Sequence, residues 1–403
     1  MTPLHLRPGH PDLICLSHLR WNFVFQRPQH LMSRFARERR VYFVEEPILD
    51  STEPVLTTAV CPQTGVHVVT PHLPVDGDKN RTLEGLLAAF VVTHKIHDPI
   101  LWFYTPMALE FVPSSITPSA VVYDCMDELS MFHGAPPRLR GLEEHLLQTA
   151  DLVFTGGVSL FEAKRHLHPN VHPFPSGVDV HHFVQARNLE GGFREQEGLP
   201  HPRLGYAGVI DERINLPLVD EVARMRPEWQ IIMIGPIAKI SPDSLPRRNN
   251  IHWLGIKDYA DLPKYFAGWN VGIMPFALND ATRFISPTKT PEYLSAGLPV
   301  VSTAIRDVVR PYGELGLARI AETAEEFVAA AEQAMASDMG FKWRERADEF
   351  LKSQSWESVW TNMSHLIAQA LDSKQKKPVS SAPSVVSPKR QVQKVAAGET
   401  ARV

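Results

Sequence analysis

The stretch Ser286-Pro-Thr-Lys-Thr-Pro-Glu-Tyr-Leu-Ser-Ala-Gly-Leu-Pro-Val-Val-Ser-Thr303 reads as a loop, a short helix and a buried strand. Ser286 before Pro287 is a helix-start signal, because a hydroxyl can accept from an orphan backbone N–H and proline's missing donor costs nothing at the first helical position. The helix is therefore predicted to begin near Pro287. Gly297 is placed to end it in a left-handed turn, and Leu298-Pro-Val-Val-Ser302 then follows as a strand buried on both faces. Lys289 and Glu292, three apart, share a helix face near the N-terminus, where backbone donors and the dipole attract anions. With Ser286 and Thr288 they place a cation that can hold phosphate one turn from a carboxylate that can accept from two vicinal hydroxyls. Such a face suits a nucleoside diphosphate-sugar gripped at both ends. The bland alternative is a surface Lys–Glu pair on an amphipathic helix, which would contribute little.

Working outward, 403 residues with 44% hydrophobic and 21% charged content describe a soluble chain long enough for two or more domains. No run of about 18 apolar residues occurs, and the first nine residues are too short and too rich in Pro and His for a signal peptide, so the expected location is cytoplasmic. Cys15, Cys61 and Cys125 have neither a metal-type nor a disulfide-framework spacing. The net charge of -4 hides an asymmetry, since residues 373–403 carry +6 and the rest -10. This tail, Ser/Pro/Val/Lys-rich and without aromatics, is predicted to be disordered, and its charge suits contact with the anionic inner face of a membrane. A solvated tail with no role is the plain alternative.

Strands at Asp12–Ser17, Val41–Val44, Val66–Thr70, Ile100–Tyr104, Ala120–Met126 and Leu152–Thr155 alternate with helices at 26–40, 83–95, 139–150 and 159–167, the pattern of a parallel sheet covered on both faces. The loop His18–His30 lies where open α/β sheets bind ligands, outside the carboxyl ends of strands, which makes Asn22, Arg27 and His30 candidate cleft residues. Val121-Val-Tyr-Asp-Cys-Met-Asp-Glu128 runs an apolar strand straight into carboxylates at that edge. Asp124 and Asp127 are therefore candidate catalytic groups, against a plain helix-capping role. No G-x-G or P-loop occurs, which excludes the dinucleotide fingerprint. Asp76-Gly-Asp78 lies in a Pro/Gly-rich turn, and His94-x-x-His97 ends a helix without a third ligand. Neither indicates a metal, and no cofactor is expected beyond the nucleotide-sugar substrate itself.

Residues 185–202 turn polar and Gly-rich and read as a linker. A second α/β unit starts at Arg203-Leu-Gly-Tyr-Ala-Gly-Val209, where Gly208 suits close approach of a ligand and Arg213 could clamp a diphosphate through its fork. A final helix near 356–372 carries Trp356, Trp360, Met363 and Ile367 on one face, and either packs on its own domain or crosses to the first. The expected architecture is two doubly wound domains, 10–184 and 203–355, with a linker at 185–202, the helix 356–372 and the basic tail 373–403.

The pattern Pro287, Lys289, Glu292-Tyr-Leu, Ala296-Gly, Pro299-Val-Val resembles the donor-site helix of retaining glycosyltransferases of the GT-B fold, and the segments 121–137 and 154–157 look like a bacterial subgroup of them. The resemblance implies that Glu292 binds the nucleotide ribose, that a cation such as Arg213 after the first strand of the second domain binds phosphate, and that the last helix crosses back. It also implies a glycan or lipid-linked acceptor in surface-polysaccharide or glycolipid synthesis, and no nucleic acid. Many relatives carry a second glutamate eight residues earlier, where this chain has Phe284; its role falls to Asn279 or Asp280, or is absent. The rival readings are a non-catalytic nucleotide-sugar-binding protein and a sugar-nucleotide epimerase of the same fold.

Overall fold

In the computed structural model, residues 10–189, 193–336 and 341–376 are described. The first sheet contains β1 (Leu13–Leu16), β2 (Val41–Val44), β3 (Val55–Val60), β4 (His67–His72), β5 (Ile100–Phe103), β6 (Ala120–Cys125), β7 (Leu152–Thr155) and β8 (Val171–Pro173). The second contains β9 (Arg203–Ala207), β10 (Gln230–Ile234), β11 (Ile251–Gly255), β12 (Val271–Met274), β13 (Val300–Ser302) and β14 (Ala318–Ile320). The spatial orders are 3-4-2-1-5-6-7-8 and 11-10-9-12-13-14, and every pairing is parallel except β3 with β4.

Helices on both faces explain why the central strands are apolar runs rather than alternating ones. Every residue of β1, β2, β5, β6 and β7 is buried. β3 is the exception: an antiparallel edge strand, largely exposed on both faces, so no hydrophobic period marks it in the sequence. In each sheet the strand order reverses at one strand. β1 lies between β2 and β5, and β9 lies between β10 and β12. A crevice forms at such a switch point because successive connections leave in opposite directions, so the loops after β1 and β9 are the ones to line a ligand site.

The polar segment 185–202 is not the linker. Val178, Phe183 and Ala186 already belong to the core of the second domain. Gln196 is fully buried there, its Nε2 donating to the Tyr265 carbonyl at 2.9 Å and its Oε1 accepting from Trp269 Nε1 at 3.0 Å. The chain crosses between β8 and Val178 instead. It returns beside that crossing, where the Val178 backbone N–H donates to the Gln354 carbonyl at 2.8 Å. Polarity misled because a buried amide with both ends bonded costs little to bury.

The helix Trp356–Lys376 then packs on the first domain. Trp356, Val359, Met363 and Ile367 share a core with Leu13, Leu31, Phe35 and Trp102. Residues 373–376 of the basic tail continue this helix, and Lys374 pairs with Asp151 at 2.6 Å. Residues 377–403 lie outside the described residues. No helix among the described residues is long and apolar enough to cross a membrane.

Candidate active site

The helix of the opening stretch runs over Lys289–Ser295, two residues later than expected. Pro291 explains the shift. A helix begun at Pro287 would need a Pro291 N–H to bond the carbonyl of residue 287, whereas a start at Lys289 keeps Pro291 in the first turn, where no donor is required. Gly297 takes φ +80° and turns the chain into β13. The helix is tied to the end of β9, since the backbone N–H of Ala207 donates to the Tyr293 hydroxyl at 2.9 Å.

This helix faces the first domain across a cavity of about 160 Å3. Gly208, Arg213, Ser286, Thr288, Lys289 and Glu292 line it from the second domain, and Arg27, His30 and Asp127 from the first. An adjoining cavity of about 270 Å3 shares Gly208 and Lys289 and continues to Gly235 and Tyr259, with Asn22 on its rim. Roomier cavities lie elsewhere, among them one of 710 Å3 beside Arg319 and Gln333 and one of 640 Å3 beside Arg39 and Ser364. Neither touches the loops after β1 and β9, so volume alone does not mark the site.

The cleft residues of the second domain are held by their neighbours. Lys289 Nζ bonds Glu292 Oε2 at 2.6 Å, and Glu292 is 7% exposed. This is a partly buried pair at a cleft, not a solvated one. Arg213 departs from expectation: its Nε and Nη2 are already bonded to the Asp211 carboxylate at 2.8–3.1 Å, so the fork that would clamp a diphosphate is occupied. Its charge is balanced by Asp211, and its guanidinium lies 5.7 Å from the Phe132 ring of the first domain. Phe284 packs against a core cluster of the first domain. Asn279, one candidate for the missing glutamate's role, instead caps a short turn through the Thr282 N–H, and neither it nor Asp280 lines the cleft.

On the first-domain side the two aspartates separate. Asp124 lies within β6, is 0% exposed, and accepts from Arg27 Nη2 at 2.7 Å and Nε at 2.9 Å, while Arg27 Nη1 donates to the Phe174 carbonyl at 2.7 Å. A carboxylate so enclosed cannot meet a substrate, which corrects its assignment as catalytic. Arg27 is likewise a wall of the cleft whose charge is spent internally. Asp127, past the end of the strand, lines the cavity, and burial pushes its carboxyl up to about 6 against the pull of Arg213 and Arg27. Glu128 is taken up by the buried Lys164 at 2.7 Å. His30 stacks on Trp356 with centroids 4.5 Å apart, and burial, followed by the nearby Arg34 and Lys289, holds its pKa well below the usual value. It is a neutral, aromatic part of the wall. Asp78 caps the helix Lys79–Thr93 by accepting from the Arg81 N–H at 3.2 Å, which accounts for the D-x-D spacing.

Residues not expected at the cleft from the sequence include Tyr206, Tyr259 and Trp356 in the walls, and Asp307 behind Ser286. Asp307 had one legible signal, a carboxylate a few residues past the β13 strand end, the same edge that drew attention to Asp127.

Two facing α/β domains, with a Lys/Glu-bearing helix of the second turned toward strand-end loops of the first, make up the GT-B fold. Residues 201–337 match the family described as glycosyl transferases group 1 and form that domain here. The chain is 24% identical over 286 residues, 64% of its length and 69% of the relative's, to TuaH of Bacillus subtilis (strain 168), whose name assigns it to teichuronic acid biosynthesis as a glycosyltransferase. In fold it is similar to HepE of Anabaena, solved with UDP and glucose (TM-score 0.65, 15% identity, 89% of this chain and 100% of that one). It is also similar to the sucrose-phosphate synthase of Thermosynechococcus elongatus (TM-score 0.65, 14% identity, 90% and 100%). The chain is a glycosyltransferase.

Proposed function

We propose that the cleft binds a nucleoside diphosphate-sugar with its diphosphate at Lys289 and its ribose at Glu292, and transfers the sugar to a hydroxyl of a cell-envelope glycan or lipid-linked acceptor held by the loops 18–30 and 126–137. The observation that carries this is the Lys289–Glu292 pair, poised between the two cavities. An incoming diphosphate would draw the ammonium off the carboxylate, freeing Glu292 to accept from the ribose hydroxyls. The 270 Å3 cavity has room and flat walls for a nucleobase, with Phe25 and Tyr259 rings 5.1 Å apart at its edge. Asp127, ionised above pH 6, is the group suited to accept the proton of the attacking hydroxyl. The envelope acceptor is favoured by the similarity to TuaH.

A thermal-shift screen against UDP, GDP, ADP and their sugars tests donor binding, since ligand at 100 times its Kd stabilises by about 2.7 kcal/mol. Lys289→Ala is expected to lose about 1.5–3 kcal/mol of affinity for the nucleoside diphosphate, little for the bare nucleoside, and less in high salt. In Glu292→Gln a 2′-deoxy donor should suffer less than in wild type. Additive losses in that comparison would remove Glu292 from the ribose.

The basic tail would hold the enzyme to an anionic membrane surface from the cytoplasmic side. Sedimentation with phosphatidylglycerol vesicles should fall when residues 377–403 are deleted, with neutral vesicles giving no binding in either case; equal sedimentation of both forms would refute the tail's role.

A further inference from the structure

Beside the donor loop one carboxylate reaches from the second domain into the first. Asp307, five residues past β13, is 5% exposed, and its Oδ1 accepts from the backbone N–H of Ser159 at 2.9 Å. Ser159 opens the helix Val158–Lys164 of the first domain. The junction has no slack. A Cβ on Gly157 would sit 2.2 Å from Asp307 Oδ2 and 2.8 Å from Ser286 Cβ, so only glycine lets the helix start, the carboxylate and the donor loop meet. The neighbouring Arg306 pairs with Glu162 on the same helix, a second tie across the same junction.

Asp307 Oδ2 and Ser159 Oγ are both buried at this junction. Burial raises the Asp307 carboxyl above its usual range, opposed by the hydroxyl and N–H of Ser159, the N–H of Val158 and the hydroxyl of Ser286.

We propose that Asp307 is a positioning residue for transfer: it latches the Val158–Lys164 helix of the first domain to the Ser286 loop of the donor site, so that the donor and acceptor halves of the cleft meet in one register. The proposal rests on the transfer reading above, because a register between halves matters only if a group passes between them. Asp307 touches no substrate in this scheme. Its effect reaches the reaction through Ser286 and through the strand-end loop at Gly156, both of which line the cleft.

The test pairs a contact readout with a kinetic one. Asp307→Ala and Gly157→Ala are each expected to speed amide hydrogen exchange at Ser159 and to lower the transfer kcat by about tenfold or more, as misplacement in a cleft does, while UDP affinity stays unchanged. Asp307→Asn keeps a carbonyl to accept from the Ser159 N–H and should recover most of the rate. The double Ala variant should be no worse than either single one, because both break the same latch. Unchanged exchange at Ser159 in both Ala variants, or a loss of UDP affinity equal to the loss of kcat, overturns the proposal. If the wild type turned over no donor, the transfer reading would fail, while the exchange result would still decide the latch.

Discussion

Asp127→Asn is expected to lose transfer by about a hundredfold or more and, above pH 6, to melt higher than the wild type. Both effects have one origin. Burial raises the Asp127 carboxyl from 3.8 to about 6, so the native state holds that proton more tightly than the unfolded chain does. Its contribution to stability is complete at low pH and is lost as pH rises through that window. Asparagine never ionises and escapes the loss. Melts at pH 5 and pH 8 should therefore show a gap between variant and wild type that opens with pH, while wild-type turnover rises over the same range as the carboxylate becomes able to accept a proton. Wild-type turnover in the variant, or the same gap at both pH values, would contradict this.

Asp124→Ala should behave in the opposite way. Removing one partner leaves the Arg27 guanidinium charged and without its carboxylate at 1% exposure, a loss of about 3–5 kcal/mol of stability, to be read in urea denaturation. Replacing both partners with apolar residues, Asp124→Leu with Arg27→Met, should recover much of it, because no lone charge is then buried. A single Asp124→Ala variant as stable as wild type but inactive would return Asp124 to the reaction.

The fold was legible because it rests on local rules. Apolar runs such as Leu13–Leu16 and Val121–Val122, spaced by helix-length segments, require a covered parallel sheet, and that requirement needs no knowledge of which strand neighbours which. The helix carrying Lys289 and Glu292 was legible too, because its two charged residues three apart and its Gly297 stop act through nearby backbone positions. Even its start was recoverable, since Pro291 forbids a helix beginning at Pro287.

Most of the misread features depend on partners distant in sequence; Arg213, whose partner Asp211 lies two residues away, is the exception. Asp124 and Asp127 are equivalent as carboxylates at a strand end. Only the fold brings Arg27, 97 residues earlier, against the first and leaves the second in the cleft. Arg213 looked free until Asp211 took its fork, and Gln196 looked like linker until Tyr265 and Trp269 enclosed it. By itself, then, the sequence determined two covered sheets and a short helix with a cation and a carboxylate on one face, because periodicity and turn chemistry act within a few residues. The tertiary structure alone decided which charges are spent inside and which remain for chemistry, because a charge is neutralised by whatever packs against it, and that is a matter of space rather than of sequence separation.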